Sequence, residues 1–367
     1  MRHYIKYFTL LSAILAVSCQ KQVLPNEQSG LEGGLVTFST YVETKAGIIN
    51  DLNNETFGVY GYSFSNLTNW GTAQAQAKPN IFHNIKVTCG VNGECEYALA
   101  DNPNDATIKD GLKKWDFSQR YSFFAYYPYK TANISGSNEA NTPYIIYTLP
   151  EPKQEPKQEP GIINTADLWD VVTAKNTNYN PTLSGTIVDL EFNHRLFCID
   201  LYGHNFNEDD IEISDVKVTI SGIKYNKTQI FLDRDRTVIV HDETQNKDIE
   251  VKQPSIPSKT SNWDAATFEL ASSVILSGGT EAETTPLNGA NNIMLIPQDY
   301  VEGEDGLHIK VSFKLGDVKK ECEATYTKSF EEGQKYTLTV NFIGSQVVLV
   351  KGEAAEWDWV PVYHTFD

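Results

Sequence analysis

Along nearly its whole length the chain is cut into short runs of alternating apolar and polar residues, each closed by Asn, Asp, Gly or Pro. In residues 307–315, Leu307, Ile309, Val311 and Phe313 fall on one face. In residues 211–223, Val216, Val218 and Ile220 oppose Lys217 and Thr219. A period of two makes a strand with one face in a core. Tyr, Phe, Thr, Val and Ile fill the runs and helix signals are scarce, which predicts an all-β protein of packed sheets. At 367 residues the chain exceeds what one core usually serves. Each half offers enough strands for a small sandwich, with the boundary expected near residue 184.

The first strand-like run, residues 35–46, puts Val36, Phe38, Thr40 and Val42 on one face and Thr37, Ser39, Tyr41 and Glu43 on the other. It ends at Lys45, followed by Ala46 and Gly47. Two readings stand: a removable first strand joined at the Lys45–Ala46 bond, or an ordinary strand with a Lys in its turn.

Ahead of it, Arg2 and Lys6 precede an apolar stretch, 8–17, too short to span a bilayer. Residues 1–18 therefore read as a signal peptide. Its end, Leu15-Ala16-Val17-Ser18-Cys19, resembles a bacterial lipobox with Cys19 as the lipidated residue. Most lipoboxes carry Leu three before the Cys; here Ala16 is there and Leu15 lies one further out, as those of the Bacteroidota tolerate. The plainer alternative is signal-peptidase cleavage with Cys19 unmodified. Residues 19–34 form a polar, Gly-rich tether. The net charge of −18 becomes −20 once Arg2 and Lys6 leave with the leader, which disfavours nucleic acid as a partner.

Cys89 and Cys95 flank a Gly-rich turn, and a disulfide there suits an exported chain. Cys198 and Cys322 sit within strand-like runs and read as buried small hydrophobes. With no Cys-x-x-Cys pair, zinc is not expected. Residues 115–129 are the densest aromatic stretch, either a stacking surface for sugars or a core strand stopped by Pro128. A four-residue repeat, Glu151-Pro-Lys-Gln-Glu155-Pro-Lys-Gln-Glu159-Pro160, holds no apolar residue and predicts a solvated, polyproline-like segment. Phosphate-loop, zinc-protease and serine-hydrolase motifs do not occur. Asp233-Arg-Asp235 and Glu208-Asp-Asp210 lack the spacing of a known calcium loop. His194 reads as a structural hydrogen-bonding residue. The expectation is a non-enzyme without catalytic residues, metal or cofactor.

Several of these landmarks, in order, resemble the fimbrillin family, the lipoprotein subunits of Bacteroidota type V pili. They are the lipobox at Cys19, Val36-Thr-Phe-Ser running into Glu43-Thr-Lys45-Ala46, Phe57-Gly-Val-Tyr-Gly-Tyr, and Trp115 followed by Arg120-Tyr-Ser-Phe-Phe-Ala-Tyr-Tyr-Pro128. Leu190-Glu-Phe-Asn-His194-Arg-Leu, Ile293-Met-Leu-Ile-Pro-Gln298, Phe330-Glu-Glu-Gly-Gln-Lys-Tyr336 and the late Trp357 complete the set. The resemblance implies two tandem transthyretin-like β-sandwich domains, residues 35–184 and 185–367. It implies lipidated export to the outer membrane and cell surface, removal of the first strand (Val36, Phe38, Val42) by a trypsin-like protease, and donor-strand exchange with other pilus subunits. The family's cut follows Arg, so an Arg-only protease would leave Lys45 intact. The candidate donor is Val347, Val348, Leu349 and Val350, which read equally as a last strand of the second domain. An alternative function is an outer-membrane lipoprotein binding a glycan or host protein through exposed aromatics such as Trp70.

Overall fold

The computed structural model describes residues 33–356, apart from 45–46, 50–51, 53, 75–76, 91–94, 98–99, 103–104, 111, 132, 137–142, 156–157, 234–236, 243–246, 253–254, 261–263, 280–282, 289–291 and 302. Cys19, Lys45, Ala46 and Trp357 therefore lie outside the described residues. As the alternation predicts, the fold is β; among the described residues the helical pieces are the four-residue turns α1 (Trp70–Ala73) and α2 (Pro181–Ser184) and a three-residue turn at Thr165–Asp167.

The first sheet is built from β1 (Thr37–Thr44), β2 (Gly47–Ile49), β3 (Thr56–Ser65), β4 (Phe82–Cys89), β5 (Cys95–Tyr97), β6 (Gln119–Tyr127), β7 (Val172–Tyr179) and β8 (Ile187–His194). Its order is β8-β7-β6-β3-β4-β5-β1-β2, and β1 also bonds β8, so the path closes on itself. The enclosed core holds Val36, Phe38, Phe57, Val59, Phe82, Val87, Phe123, Ala125, Val188, Leu190 and Phe192.

A second pair of sheets follows. One runs through Lys153–Glu155, Gln158–Asn164, Ala265–Glu269, β10 (Ile211–Ser221), β11 (Leu307–Leu315) and β12 (Val318–Tyr326). The other contains β9 (Phe197–Asn205), β13 (Gln334–Ile343) and β14 (Gln346–Glu356). Their inner faces meet as a sandwich, with Phe313 and Phe342 in edge contact at 5.3 Å.

The two cores share elements. On β6, Phe123 and Ala125 face the first core while Phe124 and Tyr126 face the second; on β3, Val59 and Tyr60 divide likewise across a register shift. The far face of these strands packs on a small sheet pairing Tyr144–Thr148 with Lys227–Phe231. Gln158–Asn164 pairs in parallel with Ala265–Glu269. Strand β8 belongs to the first sheet, so the chain leaves the first core between Phe192 and Leu196, beyond the turn near residue 184.

The acidic repeat departs from its expected polyproline-like extension. Lys153–Glu155 folds back on Gln158–Asn164 as a hairpin at the sheet edge. The reason is the apolar pair that follows the repeat: Ile162 and Ile163 register against Thr267 and Phe268, and Ile163 is buried. Proline is tolerated at such an edge.

Candidate strand-exchange site

The site is β1 and its bed. Val36, Phe38 and Thr40 point inward and are buried, as their parity predicts. The backbone of Val42 continues the strand. The Phe38 ring lies 5.5 Å from Phe123, 5.9 Å from Phe82 and 6.2 Å from Tyr97, centroid to centroid. Burying Val36 and Phe38 contributes ~1.5–3 kcal/mol each.

Along one side β1 runs parallel to β8, from Thr37 opposite Ile187 to Tyr41 opposite Glu191. The Thr37 hydroxyl donates to the Thr186 carbonyl at 3.2 Å, and Ser39 donates to the Asp189 carboxylate. The other side is held more sparsely. Phe38 registers against Cys95, and Leu35 bridges Lys114. The Val36 N–H donates to Lys113 O (2.8 Å) and the Trp115 N–H to Gly34 O (3.0 Å). Tyr97 spans this side: its hydroxyl donates to Val36 O at 3.0 Å and accepts from the Lys113 N–H at 3.2 Å. Burial raises the Tyr97 pKa, partly offset by the Lys113 N–H, so the donor proton stays in place at neutral pH. The structure joins Cys89 to Cys95, across the β4–β5 pair, with the Thr40 hydroxyl 3.8 Å from Cys89 Sγ. Withdrawing β1 would leave β5 and β8 with open edges around an apolar trough.

Val347, Val348, Leu349 and Val350 lie in β14, antiparallel to β13, with Leu349 opposite Val340. Leu349 faces the core, while Val348 and Val350 are exposed. In this chain the segment is therefore the outer strand of its own sheet.

Several other sequence candidates have structural partners, while Asp235 lies outside the described residues. The His194 Nδ1 is 3.0 Å from the Asp170 carboxylate. Asp233 is buried; it accepts from the Trp70 indole N–H at 2.8 Å and the Lys175 ammonium at 3.2 Å. Asp210 accepts the Gly278 N–H. Burial raises the Cys322 thiol to about 12 and the Cys198 thiol well above its usual range, which leaves neither as a nucleophile at neutral pH.

Trp70 is a correction. It is buried against Tyr62 and Phe124, because α1 turns it inward onto the Asp233 carboxylate, so it offers no exposed stacking face. The stretch 121–127 is likewise core strand. Every Tyr and Trp among the residues with described side chains is buried or partly buried.

Sequence reasoning missed Arg195. Its side chain is fully buried, with Nε 2.9 Å from the Glu332 carboxylate and a terminal nitrogen donating to Thr173 Oγ1 (3.0 Å) and Phe231 O (3.1 Å). Gly333 N–H donates to Leu196 O beside it. The two family-like motifs around residues 194 and 332 thus form one joint where the cores meet. Gln298 is a second such tie: its side-chain oxygen accepts from the Lys224 and Tyr225 N–H groups, and its amide donates to Ile296 O and Tyr225 O.

The family described as fimbrillin-like matches residues 44–357, and the chain belongs to that family. Among solved structures, a fimbrial protein from Bacteroides vulgatus aligns with a TM-score of 0.54 at 18% identity, covering 88% of this chain and 99% of that one. A proposed cell adhesion protein from Bacteroides ovatus aligns with a TM-score of 0.49 at 14% identity, covering 90% and 100%. The comparison with curated proteins finds no match.

Proposed function

We propose that this chain is a structural, non-catalytic subunit of a surface fimbrium, assembled by exchanging its first strand. In this reading the precursor reaches the outer membrane with Cys19 lipidated. A trypsin-like protease cuts after Lys45, and an extended segment of another subunit then occupies the trough left by β1. The carrying observation is that, among the described residues, β1 closes the first sheet by pairing with β8 from Thr37 to Tyr41 and with β5 at Phe38. An N-terminal strand so placed can leave without cutting any other element. The open edges favour addition of a new strand by main-chain pairing. Membership of the fimbrillin-like family supports the reading.

The test is to cut the purified precursor with trypsin, sequence the new N terminus, and mix the product with a second subunit. The expected result is a chain beginning at Ala46 and a ladder of SDS-resistant oligomers that dissociate on heating. A cut chain that stays monomeric with its partner overturns strand exchange.

A further inference from the structure

One end of the first sheet gathers apolar side chains from five segments. There β3 ends at Ser65 opposite Gln119, the start of β6. Strand β7 ends at Tyr179 opposite Tyr121. Strands β1 and β8 begin side by side at Thr37 and Ile187, and Leu35 bridges Lys114. A plug closes the end: Trp115 stacks on Tyr179 at 5.4 Å and meets Tyr121 edge-on at 4.8 Å, and its indole donates to Thr186 O. Around the plug Leu35, Leu67, Leu112, Phe117, Leu183 and Ile187 are all exposed.

Two of them are presented to solvent almost entirely, Leu67 at 99% and Leu183 at 83%. They are held there by local structure. The Leu67 N–H donates to Ser65 Oγ, and Asn180 caps the turn bearing Leu183. The Asn180 amide approaches the Asn66 side chain at 3.5 Å, which sets the two turns side by side. Scattered apolar residues on a surface are ordinary; six exposed around one end are the grouping that calls for an explanation.

What covers it follows from where the rest of the chain departs. Residues 1–32 lead into Gly33, which is packed so closely on Trp115 that a Cβ there would lie 2.3 Å from the Trp115 carbonyl oxygen. Gly33, the first described residue, therefore lies at this same end. Thirteen residues, 20–32, separate Gly33 from Cys19, a length of chain that reaches at most about 45 Å when fully extended. On the lipid-anchor reading, a lipid on Cys19 limits how far this end of the fold stands from the bilayer. Lys113, partly buried on the same rim, suits a lipid phosphate in a chain of net charge −18.

We infer that this end docks on the phospholipid surface that holds the N terminus, with Leu67 and Leu183 entering the interface. The inference rests on the lipid-anchor reading above. Separate leucines on turn tips suit insertion between lipids, as in interfacial protein segments. Docking also orients the cleavage site. Strand β1 starts at the docked end and runs eight residues, about 26 Å, away from it. Thr44, the residue before Lys45, is then held off the membrane surface.

The experiment uses the full-length chain purified from bacterial membranes, with acylation of Cys19 checked by mass spectrometry. Single reporters, Leu67→Cys, Leu183→Cys and the control Ile275→Cys, carry an environment-sensitive dye; all three sites are exposed, and Cys198 and Cys322 are buried. The protein is bound to vesicles of phosphatidylethanolamine and phosphatidylcholine containing nitroxide-labelled lipid. Dyes at 67 and 183 are expected to shift to the blue and be quenched, and the dye at 275 to remain as in water. Replacing Leu67 and Leu183 with Ser should speed transfer between vesicles by about tenfold for each leucine lost. An acylated chain that floats with vesicles but shows no difference between 67, 183 and 275 overturns the docking alone. A concentration-dependent blue shift without vesicles means that a second copy covers this end, which overturns it too. An unacylated Cys19 overturns the anchor reading, and the docking with it.

Discussion

Phe38 is the side chain around which the first core closes, touching Phe82, Tyr97 and Phe123. Phe38→Ala should cost about 3–5 kcal/mol of stability, read from urea unfolding, because a buried ring is lost and its cavity stays. Its inward direction was legible from the parity of Val36, Phe38 and Thr40. Arg195 was not legible. Nothing in the sequence around His194 and Leu196 marks its partner, and only the fold brings the Glu332 carboxylate to it. Glu332→Ala should destabilise by about 3 kcal/mol, since a fully buried guanidinium loses its carboxylate. Tyr179 gives a pH prediction. Burial first, then the nearby Asp189 charge, raises its pKa from 10.0 to about 12. The folded value lies above the unfolded one, so this tyrosine's contribution is complete below pH 10 and is lost as pH rises toward 12. Denaturation midpoints should therefore hold to about pH 10 and then fall, and a Tyr179→Phe chain should lose less over that window.

Strand β1 combines two features that a run of alternating residues cannot reveal together. Its described inner-face residues, Val36, Phe38 and Thr40, are buried, while among the described residues its backbone pairs with β8 over Thr37–Tyr41, with β5 at Phe38 and with β2 over Val42–Thr44. After cleavage beyond Lys45, hydrogen exchange should quicken in β8 and β5 and stay slow in β13. Unchanged exchange in β8 would mean the cut strand remains seated. The Cys89–Cys95 link closes a short loop next to the same bed. Replacing both cysteines with Ser should cost ~2 kcal/mol, measured under oxidising conditions. The acidic repeat shows the limit of composition. Its residues do lack core-forming side chains, but the isoleucines after it draw the backbone into a sheet.

In the molecule as a whole, strands β3 and β6 supply side chains to both cores, and strands from each half pair with the other. Calorimetry should therefore record one cooperative transition over this region; two separated transitions would contradict the shared core. Local alternation determined that the chain is β throughout, where most strands lie, and which residues of β1 face inward. It did so because a strand's side chains follow a period of two whatever the strand pairs with. The ordered motifs carried the family. Tertiary structure alone decided that the first sheet closes through β1, that β6 is buried on both faces, that Trp70 turns inward, and that Arg195 meets Glu332. Each of these depends on pairing between residues far apart in the chain, and alternation records which face of a strand is buried but not its partner.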